Sequence, residues 1–94
     1  MMHLQDLMKN ISFNGRTDDR EIKAITYDSR KVKPGALFVA ISGNNYDGYE
    51  FIPHAIKNGA AAILQNGEKN IDNIIPTLYV NDTRKAMSNI SAQF

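Results

Sequence analysis

Residues 36–64 read ALFVAISGNNYDGYEFIPHAIKNGAAAIL. Two unbroken apolar runs, Ala36 to Ile41 and Ala60 to Leu64, enclose everything else in this stretch. Their length and apolar continuity predict strands buried on both faces, since a half-exposed strand would alternate. Ser42 to Gly48 is dense in turn residues and predicts a loop. Glu50 to Asn58 predicts a helix with Ile52, Ala55 and Ile56 on one side, and Gly59 is its expected stop. Asp47 with Glu50 has the form of a capping box. Pro53 argues for a later start, which keeps the proline in the first turn, where no amide bond is lost. Strand, helix and strand with short gaps predict a βαβ unit in which 36–41 and 60–64 run parallel.

Upstream, Leu4, Leu7, Met8 and Ile11 fall on one face of a short helix over 3–11. Asn14-Gly15 and the polar run Arg16 to Glu21 predict a loop. Ile22 to Tyr27 alternates and is rich in β-formers, so it predicts a strand, ended by Asp28-Ser29-Arg30. Pro34-Gly35 predicts a turn. Downstream, 65–73 is a polar loop and Thr77 to Val80 a strand after Pro76. Asp82 is the expected cap of a last helix with Ala86, Met87, Ile90 and Phe94 on one face. That helix shows no stop signal, so a fragment of a longer protein is the simpler expectation. These elements compose one α/β domain, a small mixed sheet with flanking helices. Phe38, Val39, Ile41, Ile56, Ile63 and Leu64 are its expected core.

Composition removes several function classes. Eleven basic and ten acidic side chains nearly cancel. A general nucleic-acid surface needs a basic stripe to displace counterions, and none is present. There is no cysteine, which excludes disulfides and cysteine-based zinc sites. His3 and His54 belong to no metal-ligand spacing. No apolar run approaches the ~20 residues of a membrane span, and the N-terminus lacks the basic start and apolar core of a signal peptide. A cytoplasmic protein without membrane contact is expected.

Chemistry-bearing residues concentrate at Tyr27-Asp28-Ser29-Arg30 and at Gly43 to Gly48. Both groups follow predicted strands, and loops at the carboxyl ends of strands form the ligand crevice of α/β sheets. Tyr27 offers a flat face and Ser29 a hydroxyl that donates and accepts. Gly43 and Gly48 leave backbone amides open, and the following helix points its positive end at this loop. These features suit a nucleotide diphosphate. A plainer reading stands beside each. Asp28-Ser29 also fits a turn held by side-chain to backbone bonds. Gly43 and Gly48 also fit loop geometry alone, and tyrosines and arginines at such positions commonly pack or stay solvated. His54, with no acidic partner nearby in sequence, reads as a surface or packing residue. The glycine spacing of 43–48 imitates G-x-x-x-x-G-K-[ST], but Tyr49 and Glu50 stand where lysine and hydroxyl are required, so this is not a P-loop.

Residues 27–63, YDSRKVKPGALFVAISGNNYDGYEFIPHAIKNGAAAI, resemble the N-terminal signature of the Mur ligases of peptidoglycan synthesis. The shared elements are Asp28-Ser29-Arg30, Pro34-Gly35, Leu37-Phe38-Val39-Ala40, Gly43, Asp47-Gly48, and Ala55 with Gly59-Ala60. Val80 to Ala86 is similar to the segment that precedes the family's next domain. Tyr49 departs from the histidine common after D-G in the family.

The resemblance implies a Mur ligase N-terminal-domain-like fold. It implies that 1–94 is the UDP-MurNAc-binding domain, with the central ATPase and C-terminal domains absent. ATP and Mg2+ then belong to the full-length enzyme, and this domain has no cofactor, metal or catalytic residue of its own. Tyr27, Ser29, Gly43, Asn44, Asn45 and Tyr46 are the residues implied to contact the UDP moiety of UDP-MurNAc-L-Ala-D-Glu. Ser29 would use its hydroxyl, and 43–46 mostly backbone groups. Asp47 would cap the helix or brace the loop; Arg30 would brace the loop or approach phosphate. Two branches of the family share the signature: one adds the third amino acid of the peptide, the other adds D-Ala-D-Ala. The Leu4-x-x-Leu7 helix, Tyr27 before Asp28 and the helix running into Phe94 look more like the first. A freestanding non-catalytic α/β binding module is the alternative from another class.

Overall fold

The computed structural model describes residues 2–43, 46–67 and 74–94, with the backbone alone at 42–43 and 46–47. At its centre are two adjacent parallel strands, β5 (Ala36–Val39) and β8 (Ala62–Asn66). Numbering runs in chain order from β1 (Met2–His3), β2 (Asn14–Gly15), β3 (Glu21–Ile22) and β4 (Ala24–Thr26). β6 (Ser42–Gly43) and β7 (Tyr46–Asp47) follow β5, and β9 (Thr77–Val80) follows β8. The main sheet has the order β2-β9-β8-β5-β4. Its four longer strands are parallel, and β2 joins β9 antiparallel, so the sheet is mixed. The helices are α1 (Leu4–Leu7), α2 (Ile52–Lys57) and α3 (Thr83–Gln93).

Every residue of β5 is buried, as the unbroken apolar run requires. Alternate side chains of a strand point to opposite faces, and two cores result. Leu37, Val39 and Ile41 join Leu64, Leu78, Leu4, Leu7, Ala86 and Ile90 on the face covered by α1 and α3. Ala36, Phe38 and Ala40 join Ile63, Ile52 and Ala55 on the face covered by α2. Burial of each large apolar side chain contributes about 1.5–3 kcal/mol, so a strand filled on both faces anchors both layers at once.

The βαβ unit and its parallel pairing are as expected, but the second strand lies two residues later than 60–64: it takes in Gln65, which is buried, and Asn66 from the expected 65–73 loop. The helix begins late: Gly48–Phe51 forms a 3-10 turn, and Pro53 sits in the first turn of α2. Gly59 ends it at φ +103°, a conformation other residues resist. Asp82 caps α3, its side chain accepting from the Lys85 amide at 3.0 Å.

Other expectations fail at the edges. The 3–11 helix shrinks to Leu4–Leu7, although Leu4, Leu7 and Met8 are buried as the periodicity requires. The loop over 14–21 contains β2, a two-residue strand formed only because β9 is there to pair with it. The 22–27 strand divides at Lys23, because β3 pairs with β1 and β4 pairs with β5. The change of partner is fixed by Lys23 N–H donating to the Gly35 carbonyl at 2.9 Å. Ile56, expected in the core, is only partly buried and packs against its margin, and Phe94, expected on the apolar face of the last helix, is 49% exposed. No helix among the described residues is long and apolar enough to cross a membrane.

Candidate functional site

β4 and β5 lie side by side and point the same way, so the segments leaving their carboxyl ends meet. Tyr27 to Arg30 leaves β4, and Ile41 lies just beyond β5. α3, packed on one face of the sheet, supplies the opposite wall with Arg84, Met87, Ser88 and Ser91. Phe51 completes a cleft of about 940 Å³. That is within the range of about 300–1,000 Å³ typical of small-molecule sites.

The turn at its floor is tightly specified. Asp28 accepts from the Arg30 amide at 3.0 Å, capping a 3-10 turn over Ser29–Lys31. Its carboxylate also meets the Arg30 guanidinium at 3.1 and 2.9 Å. The hydrogen bond from the Arg30 side chain, then that from its amide, hold the Asp28 carboxyl below the usual carboxylate range. The Asp28 amide donates to Thr26 Oγ1 at 3.1 Å. The plain turn reading of Asp28 is therefore what the structure shows, and Arg30 braces this turn through Asp28.

Ser29 is 3% exposed. Its Oγ lies 3.0 Å from Nδ1 of His54 on α2. Asn58 Nδ2 donates to the Ser29 carbonyl at 3.1 Å and lies 3.2 Å from His54 Nε2. His54 is a surface residue, as expected, and its ring also meets the hydroxyl of a cleft residue. Tyr27, by contrast, is 55% exposed at the cleft mouth, where a flat ring can meet a ligand.

Of the residues expected to contact a ligand, the structure brings Tyr27 and Ser29 to one cleft. Gly43 and Tyr46 pair with each other through the backbone, in the β6–β7 hairpin that leaves Ile41. Asn44 and Asn45 lie outside the described residues. Asp47 is part of β7, and the N-terminal residue of α2 makes no side-chain cap, so the capping box does not start that helix. Gly48 donates its amide to the Ile41 carbonyl at 3.0 Å, which ties the hairpin's end to β5. Tyr49, the departure from the family pattern, donates its hydroxyl to the Asn66 carbonyl at 3.2 Å.

The α3 wall was not foreseen. Arg84, Ser88 and Ser91 stand at helical spacing off the apolar stripe, a pattern that by itself reads as a solvated face. Nothing local shows that the face borders a cleft. The described residues hold no group of three or more His, Asp or Glu suited to a metal.

The comparisons with known proteins agree with this architecture. The family model described as "Mur ligase family, catalytic domain" matches residues 21–94. The chain is 43% identical over 95 residues to the UDP-N-acetylmuramoyl-L-alanyl-D-glutamate--2,6-diaminopimelate ligase of Listeria monocytogenes serotype 4b, covering 99% of this chain and 19% of that protein. Its identity to the ligase of the same name from Syntrophomonas wolfei is 41%, over 99% of this chain and 19% of that one. Among solved structures, a crystal structure of MurF from Acinetobacter baumannii superposes with a TM-score of 0.82 at 30% identity, covering 97% of this chain and 20% of that chain. This chain belongs to the Mur ligase family. Its small mixed sheet with flanking helices is the fold of the family's N-terminal domain. It spans about a fifth of the length of the relatives it matches.

Proposed function

We propose that this chain is the domain of a MurE-type ligase that holds the UDP end of UDP-MurNAc-L-Ala-D-Glu during ATP-dependent addition of the third amino acid. The observation that carries the reading is the cleft itself: the Tyr27–Arg30 turn and the α3 wall enclose a nucleotide-sized volume at the carboxyl ends of parallel strands. Tyr27 would face the base or sugar, Ser29 would supply a hydroxyl, and Arg84 a positive charge near phosphate. Gly43, Asn44, Asn45 and Tyr46 would complete the site through the loop after β5. ATP and Mg2+ would be bound by the rest of the protein, working in the cytoplasm where ATP is available.

A MurF-type role is the second reading, favoured by the superposition on MurF. The higher identity to 2,6-diaminopimelate ligases supports the first, and 2,6-diaminopimelate is then the amino acid to test first. Assays of the full-length enzyme with 2,6-diaminopimelate, lysine and D-Ala-D-Ala, each with its matching UDP precursor, separate the branches. For the site, amide shifts of this chain are followed during titration with UDP, with CMP as control. Saturable changes at Tyr27–Arg30 and along Arg84–Ser91 are expected. Changes elsewhere, or an equal response to CMP, overturn the assignment.

A further inference from the structure

We propose that Asn58 and His54 are positioning residues that fix the Ser29 hydroxyl as a hydrogen-bond donor toward the cleft, where it offers its proton to an acceptor oxygen of the ligand. The identity of the ligand rests on the UDP reading above; the donor orientation does not.

The Ser29 carbonyl oxygen can only accept, so the Asn58 atom 3.1 Å from it is the amide nitrogen. That nitrogen carries two protons. The second is directed at His54 Nε2, 3.2 Å away. An N–H facing Nε2 requires a lone pair there, which leaves the ring proton on Nδ1. Nδ1–H, 3.0 Å from Ser29 Oγ, then donates to that oxygen. One of the hydroxyl's two lone pairs is taken by the imidazole, and its own proton, turned away from the ring, remains for a partner in the cleft that Ser29 lines. One turn of α2 (His54 and Asn58 are four residues apart) thereby sets the polarity of a hydroxyl 25 residues upstream of His54.

The acceptor chemistry is shared by a uracil carbonyl and a phosphate oxygen, and the test distinguishes them. The imidazole nitrogens of His54 in the 15N-labelled chain are observed first. Nδ1 is expected as the protonated nitrogen and Nε2 as the unprotonated one, with Asn58→Ala releasing the ring toward the tautomer equilibrium of free imidazole. Affinity for UDP is then compared for wild type, Ser29→Ala, Asn58→Ala, His54→Phe and His54→Asn. Ser29→Ala, Asn58→Ala and His54→Phe are each expected to weaken UDP binding two- to tenfold, the worth of one neutral hydrogen bond. His54→Asn, whose amide can still donate at the Nδ1 position, restores most of it. Ser29→Ala combined with Asn58→Ala is expected to cost no more than Ser29→Ala alone, because both remove one interaction. Loss repeated with uridine assigns the acceptor to the base; loss seen with UDP and pyrophosphate but not uridine assigns it to phosphate. A protonated Nε2 in the wild-type chain, or additive losses in the double variant, overturns the proposal. Absence of UDP binding alongside a protonated Nδ1 overturns the UDP reading and leaves the donor orientation standing.

Discussion

Gly48 and Ile41 are in backbone contact across the loop that leaves β5. The Gly48 amide donates to the Ile41 carbonyl at 3.0 Å, and a β-carbon at position 48 would lie 2.5 Å from the Ile41 nitrogen. The approach is between backbones, so no side-chain rotation relieves it. Gly48→Ala is expected to destabilise the chain by about 1–3 kcal/mol, the range for overpacking. Gly67→Ala is the control: its nearest neighbour is Tyr79 Cβ at 3.6 Å, an ordinary contact, and a change within about 0.5 kcal/mol is expected. Urea unfolding of the two variants decides. Equal stabilities would mean that the Gly48 loop moves away without cost.

Phe38 is fully buried between α2 and the sheet. Phe38→Ala is expected to cost about 3–5 kcal/mol through lost transfer energy and a residual cavity. Native domains have only about 5–15 kcal/mol in hand, so the variant should unfold at markedly lower urea. Wild-type stability in Phe38→Ala would contradict the placement of β5.

Acid should loosen two loops together. Hydrogen bonds from Arg30 hold the Asp28 carboxyl below the usual range, and those from Arg20 do the same for Asp18. A carboxyl depressed in the folded state contributes stability above its unfolded value, about pH 4, and loses it as pH falls through the depressed value. Stability should therefore decline below about pH 4. Asp28→Asn keeps an acceptor for the Arg30 amide but removes the charge, and should flatten part of that decline. Urea midpoints for both proteins between pH 2 and 7 test it, with high salt shrinking the difference because these pairs face solvent.

The α3 wall can be tested without touching the core. Ser88 is exposed and lines the cleft. Ser88→Phe is expected to weaken UDP binding about tenfold or more by filling the cleft, with stability within about 0.5 kcal/mol of wild type. Lys85→Ala, on the same helix but outside the cleft lining, should bind as wild type does. Unchanged affinity in Ser88→Phe would place the ligand elsewhere.

The chain alone should neither bind nor hydrolyse ATP, because Tyr49 and Glu50 occupy the positions a P-loop reserves for lysine and hydroxyl. Magnesium-dependent turnover by pure chain would refute this.

The two parallel strands β5 and β8, though not their exact ends, the helix between them, its late start with Pro53 in the first turn, its stop at Gly59 and the Asp82 cap were all legible in the sequence. Each depends on neighbours a few residues away: apolar continuity, proline's fixed φ, glycine's freedom and a side chain reaching its own helix. The family resemblance was legible for the same reason, since it lies in one contiguous stretch. β2, the division of the strand at Lys23 and the α3 wall were not, because each exists only through a partner distant in sequence. Asn14-Gly15 is a strand because Leu78 and Tyr79 lie beside it. Arg84, Met87, Ser88 and Ser91 become a cleft wall only once α3 packs on the sheet face beside β4 and β5. Ser29 was visible as a hydroxyl in a turn; that it is buried and held by His54 and Asn58 was not. Sequence by itself determined the residue types and local geometry of this domain. Tertiary structure alone decided which of them meet, because burial and hydrogen-bond direction depend on groups that only the folded chain brings within 3–4 Å.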